Sequence, residues 1–121
     1  MYQQGAQAYH QTTKVVESPR DRESALLMRA AANLQKVKDE WPNSFDDLES
    51  ALAFNRKLWS IFMVSVTKEE NPLPAEIRQN IANLGLFVMN QTREVMMQPG
   101  PQKLEVLVRL NRQIASGLRG M

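Results

Sequence analysis

Residues 45–67 read FDDLESALAFNRKLWSIFMVSVT, and the spacing of large apolar side chains in that stretch decides the fold. Phe45, Leu48, Leu52, Asn55, Trp59, Phe62 and Val66 recur at intervals of three and four, so they fall along one face of an α-helix. A second row, Ala51, Phe54, Leu58 and Ile61, lies beside the first, and a face this wide marks a helix central to a core. Ser44 and Asp47 have the spacing of a capping box, which predicts the helix start. The same spacing assigns Asp46 and Asp47 to the helix terminus rather than to an acid–base pair, because adjacent residues on a helix point in different directions.

Upstream, Ser18-Pro19-Arg20-Asp21 has the order of a helix start: a hydroxyl for a free N–H, proline in the first turn, then an acid at the positive end. That helix runs to about Glu40 on a face of Leu27, Ala30, Leu34, Val37 and Trp41, and Pro42 stops it. Before it, residues 2–16 place Tyr2, Ala6, Tyr9, Thr13 and Val16 on a narrow stripe among glutamines and threonines, which predicts a weakly packed helix. Downstream, Pro74 opens a helix to about Gln98 using Ile77, Ile81, Leu84, Val88 and Val95, with Phe87, Met89 and Met96 widening its face. Pro99-Gly100-Pro101 ends it. The last segment, about 103–118, presents Leu104, Leu107, Val108, Asn111, Ile114 and Leu118. Short breaks between amphipathic helices predict an all-α fold, a small antiparallel helical bundle of four to five helices forming one domain over residues 1–121.

Composition agrees with a globular chain, since 43% hydrophobic and 23% charged residues fit neither a disordered nor a membrane protein. The longest apolar runs, such as Leu84 to Met89, fall far short of the roughly 20 residues that cross a bilayer. Met1 to Gln11 holds four glutamines and no apolar core of a signal peptide, so a cytoplasmic location is expected. The absence of cysteine removes disulfides, thiolate metal sites and thiol nucleophiles together. His10 is the one histidine and has no evident partner for triad or metal work, and the five glycines are scattered, with no phosphate-binding loop. No cofactor, no metal and no enzymatic activity are therefore expected.

Some positions break the pattern. Asn55 and Asn111 each occupy a stripe position where an apolar side chain is expected, and a buried amide without partners costs about 1–3 kcal/mol. They read as an internal polar network that sets helix register, with a partner contact as the alternative. Gly85 inside a helical pattern reads as a place of close helix packing. Met28, Met63, Met89, Met96 and Met97 read mainly as core fillers, with an adaptable binding surface as their other use. Lys103, Arg109, Arg112 and Arg119 stand against the single acid Glu105, but no aromatics are interleaved for base stacking, so they read as a solvated face. A net charge of +2 with a pI near 9.2 permits nucleic-acid binding without indicating it.

Taken in order, Ala8-Tyr9, Ser18-Pro19-Arg20 with Glu23, Ala51-Leu52, Asn55-Arg56-Lys57-Leu58-Trp59, and Asn71-Pro72-Leu73-Pro74 with Ile77-Arg78 resemble the FlaF family of flagellar biosynthesis regulators. The Asn-Arg-x-Leu-Trp element is the most specific of these, and the helix after Gln98 the least. The resemblance implies a cytoplasmic, non-enzymatic protein of flagellated alpha-class proteobacteria. It further implies a flagellin-binding secretion chaperone or regulator, working alongside the FlbT regulator of flagellin mRNA translation. A flagellin helix laid into an apolar groove is the expected mode, and Phe54, Leu58, Met63, Phe87 and Met89 are the expected lining. The alternative is an RNA-binding regulator of flagellin mRNA that uses Lys103, Arg109, Arg112 and Arg119.

Overall fold

Apolar stripes at helical spacing can be hidden from water only against one another, and the computed structural model, which describes residues 18–120, packs four of them together. Helix α1 spans Pro19–Asp39, α2 Phe45–Val66, α3 Ala75–Met97 and α4 Glu105–Arg119, with a 3-10 turn at Pro101–Leu104 before α4. The helix expected over about residues 2–16 lies outside the described residues. There is no strand among the described residues.

Contacts along the helices give their directions. Arg29 stacks over the Phe54 ring at 5.3 Å, and Ser44 reaches back to Val37, so α2 runs antiparallel to α1. Gly85 lies against Met63, while Met96 stands beside Phe45 and Leu48, so α3 reverses α2. The Ser24 hydroxyl donates to the Ala115 carbonyl at 2.8 Å and Lys38 pairs with Glu105, which sets α4 antiparallel to α1. The core holds Leu27, Leu34, Leu52, Trp59, Val88, Val95, Leu104 and Leu107, all fully or nearly fully buried. This is the antiparallel bundle that the periodicity predicts.

The residues that carry the family resemblance hold this frame. The Ser18 hydroxyl accepts from the Asp21 N–H at 3.0 Å, which caps α1 as its sequence predicts. Arg20 pairs with Glu23 one turn later. Asn71 donates to the Ser65 carbonyl at 3.1 Å and accepts from the Leu73 N–H at 3.0 Å, pinning the α2–α3 loop so that Leu73 enters the core.

Three expectations need correction. Ser44 does not form a capping box, since its hydroxyl turns inward and donates to the Val37 carbonyl near the end of α1. That carbonyl lies in the last turn of α1, where acceptors lack an intrahelical donor, and it outcompetes the start of α2 for the hydroxyl. Phe45 and Ile61 lie on the expected stripes yet are exposed. Phe45 is the first residue of its helix, at the end of the bundle, where its ring meets Trp41 edge-on at 5.6 Å and stays half exposed. Of the five methionines, Met28, Met96 and Met97 are exposed and Met63 and Met89 are half-buried, so none is fully core. Met96 and Met97 follow Val95, and it is the row of Ile81, Val88 and Val95 that α3 turns inward.

The seam between α1 and α4 is closed outside by an ion pair, Lys38 Nζ to Glu105 Oε2 at 2.8 Å. Through this hydrogen bond the Lys38 ammonium is held above the ordinary lysine value and the Glu105 carboxyl below the ordinary carboxylate range.

Candidate functional site

Where α1 meets α4, the small side chain of Ser24 is bonded directly to the backbone of Ala115, and both residues are buried. Small residues let two helix backbones approach closely, and α1 and α4 form the most extensive contact in the bundle. Helix α4 is thereby drawn toward α1 and away from α3, which it scarcely touches.

The consequence is a trough of about 420 Å³ between α3 and α4. Its floor is apolar: Ile77, Ile81 and Leu84 from α3, Ile114 and Leu118 from α4. Its rim is polar but uncharged, formed by Asn80, Asn83 and Gln113. Ile77, Leu84 and Ile114 pack against the core with one side and keep the other exposed to the trough. One turn further along α4, Leu110 and then Val106 are also half-buried. Gly117 sits on the α4 wall, and a Cβ built there meets nothing within 4 Å among the described residues, so the trough is wide at that end.

The five side chains expected to line a groove do not share one. Leu58 is buried. Phe54 lies on the α1 side of α2 beneath Arg29, whereas Met63, half a helical turn around, packs against Gly85 of α3. Met89 is half-buried against the core. Phe87, 41% exposed, stands one turn beyond Leu84 on α3 and is not among the residues that line the α3–α4 trough. The groove is one helix over from its expected place. Sequence reading found Ile77, Ile81, Leu84, Ile114 and Leu118 as members of core stripes, and stripe membership does not say which side chains a neighbouring helix will cover. Leu110, Ile114 and Gly117 form a flanking row on α4 that pointed to it.

Asn55 and Asn111 are fully buried and form the network their positions predict. Trp59 Nε1 donates to Asn111 Oδ1 at 2.9 Å, and Asn111 Nδ2 donates to Asn55 Oδ1 at 2.7 Å. An indole N–H only donates, so it fixes the orientation of Asn111 and, through it, that of Asn55. Asn55 Nδ2 is left with no partner among the described residues.

The basic residues of the last segment are divided. Lys103 Nζ donates to the Gln98 carbonyl at 2.8 Å and pairs with Glu94 at 3.1 Å, so it caps the end of α3. Arg109, Arg112 and Arg119 are exposed. Among the described residues no three His, Asp or Glu side chains gather as metal ligands, and no helix is long and apolar enough to cross a membrane.

The model of the FlaF family, described as flagellar protein FlaF, matches residues 5–118. The chain belongs to the FlaF family. The matched span takes in α1 to α3, α4 as far as Leu118, and both walls of the trough. Comparison with curated proteins and with solved structures gave no match.

Proposed function

We propose that this FlaF-family protein binds flagellin in the cytoplasm, as a secretion chaperone or regulator of flagellin synthesis and export, and works by binding rather than catalysis. The trough between α3 and α4 carries the reading: its floor of branched aliphatic side chains and its uncharged rim fit the apolar face of an amphipathic helix. Flagellin termini are helical and prone to aggregate before assembly, so covering one would keep the subunit competent for export. Each aliphatic anchor a partner buries contributes about 1.5–3 kcal/mol, and a few anchors outweigh the cost of association. The amount of protein occupied by flagellin then reports flagellin supply to the translational regulator FlbT.

The test is co-purification with flagellin and mapping of the protected flagellin segment, with Gly117→Glu as the discriminating variant. Position 117 has room for a side chain, so the fold is expected to survive while a carboxylate enters the trough and flagellin binding falls. Replacing Arg109 and Arg112 together by glutamine is expected to leave flagellin binding unchanged, because both are exposed. A tight RNA complex with a steep salt dependence and no flagellin complex would overturn the proposal.

A further inference from the structure

We propose that the chain's own N-terminal segment, residues 2–16, docks in the α3–α4 trough and acts as an internal competitor for the partner helix. The competition rests on the flagellin reading above, whereas the docking stands without it.

The point of attachment comes first. Helix α1 opens at the same end of the bundle as the trough, because Arg20 and Glu23 border a depression whose lining includes Ile81, Ile114 and Leu118. Those three side chains also form part of the trough floor. Only Glu17 and Ser18 separate Val16 from Pro19, a link that reaches about 10 Å, so the segment starts beside the trough mouth.

Chemistry matches on both layers. Tyr2, Ala6, Tyr9, Thr13 and Val16 form the segment's one stripe and face an aliphatic floor. From Tyr2 to Thr13 the segment has no Asp, Glu, Lys or Arg, and its flanks are Gln3, Gln4, Gln7 and Gln11. The trough rim is built from the same uncharged amides, Asn80, Asn83 and Gln113. A charged helix would leave its ions unpaired there, and an amide-flanked one would not. The segment is also suited to letting go, because a helix of this length containing Gly5 gains little stability of its own and a partner helix can displace it.

The full-length protein tests this directly. The chain has no cysteine, so Gln7→Cys gives a single site for a nitroxide spin label. The label is expected to broaden the side-chain amide resonances of Asn80, Asn83 and Gln113 within the same molecule. No broadening of these three, broadening centred on Asn33 between α1 and α2, or broadening seen only between mixed copies would overturn the proposal. The double variant Tyr9→Ser with Val16→Ser should abolish the effect, and its persistence would equally overturn docking through the stripe. If the trough is covered about nine-tenths of the time, that variant binds flagellin about tenfold more tightly. Unchanged flagellin affinity together with lost broadening refutes the competition. Broadening in a protein that no flagellin segment displaces or binds supports the docking and sinks the flagellin reading instead.

Discussion

At the scale of single residues, Asn111 joins two helices because it is asked for an acceptor by Trp59 and offers its donor to Asn55. These contacts explain why the Asn-Arg-x-Leu-Trp element alternates as it does: Asn55, Leu58 and Trp59 point inward, while Arg56 and Lys57 are exposed. Trp59 is fully buried, and Trp59→Ala is expected to cost roughly 3–5 kcal/mol, read from the midpoint and slope of urea unfolding. Asn111→Leu keeps the volume but strands the indole N–H and the Asn55 carbonyl oxygen. Each stranded group costs about 1–3 kcal/mol, and a variant as stable as wild type would show that water or a shifted side chain replaces the amide.

At the scale of elements, two glycines with the same helical backbone have opposite expected effects. A Cβ at Gly85 would collide with the Cγ and Sδ atoms of Met63 on α2, so Gly85→Ala is expected to destabilise the α2–α3 pair. Met63→Ala removes the colliding atoms, and the cost of Gly85→Ala should largely vanish in that background, a coupling that a double-mutant cycle measures. Gly117 has no such neighbour among the described residues, and Gly117→Ala is expected to stabilise α4 by about 0.5–1 kcal/mol, seen as a higher Tm. A fall in Tm would mean that the added methyl crowds a segment seated in the trough.

At the scale of the whole molecule, α4 is bound tightly on one flank and left open on the other. The Lys38–Glu105 pair closes the tight flank, and its titration gives stability a defined pH dependence. Glu105 has a lowered folded pKa, so its contribution is present above the ordinary carboxylate value and is lost as pH falls through the lowered one. Lys38 has a raised pKa, so its contribution is present below the ordinary lysine value and is lost as pH rises through the raised one. Stability from this pair is therefore flat through neutrality. Glu105→Gln is expected to flatten the acid limb in urea unfolding at low salt, and added salt should shrink the difference because the pair is exposed. An unchanged acid limb at low salt would show that the pair contributes nothing.

What the sequence determined by itself is whatever depends on neighbours along the chain. Three-and-four spacing placed the four helices and their breaks, Ser18 and Pro19 placed the start of α1, and the misplaced polar residues Asn55 and Asn111 announced their network. The family resemblance is legible for the same reason, since Ser18, Asn55, Trp59 and Asn71 hold helix ends, core and loop together. The site was not legible. Ile77, Leu84 and Ile114 carry the same apolar pattern whether or not another helix lies over them, and Ser44 offers the same hydroxyl to its own helix or to Val37. Only the tertiary structure decided these. Close packing of Ser24 of α1 against Ala115 commits α4 to one neighbour, and that choice between surfaces distant in sequence is what leaves a trough beside α3.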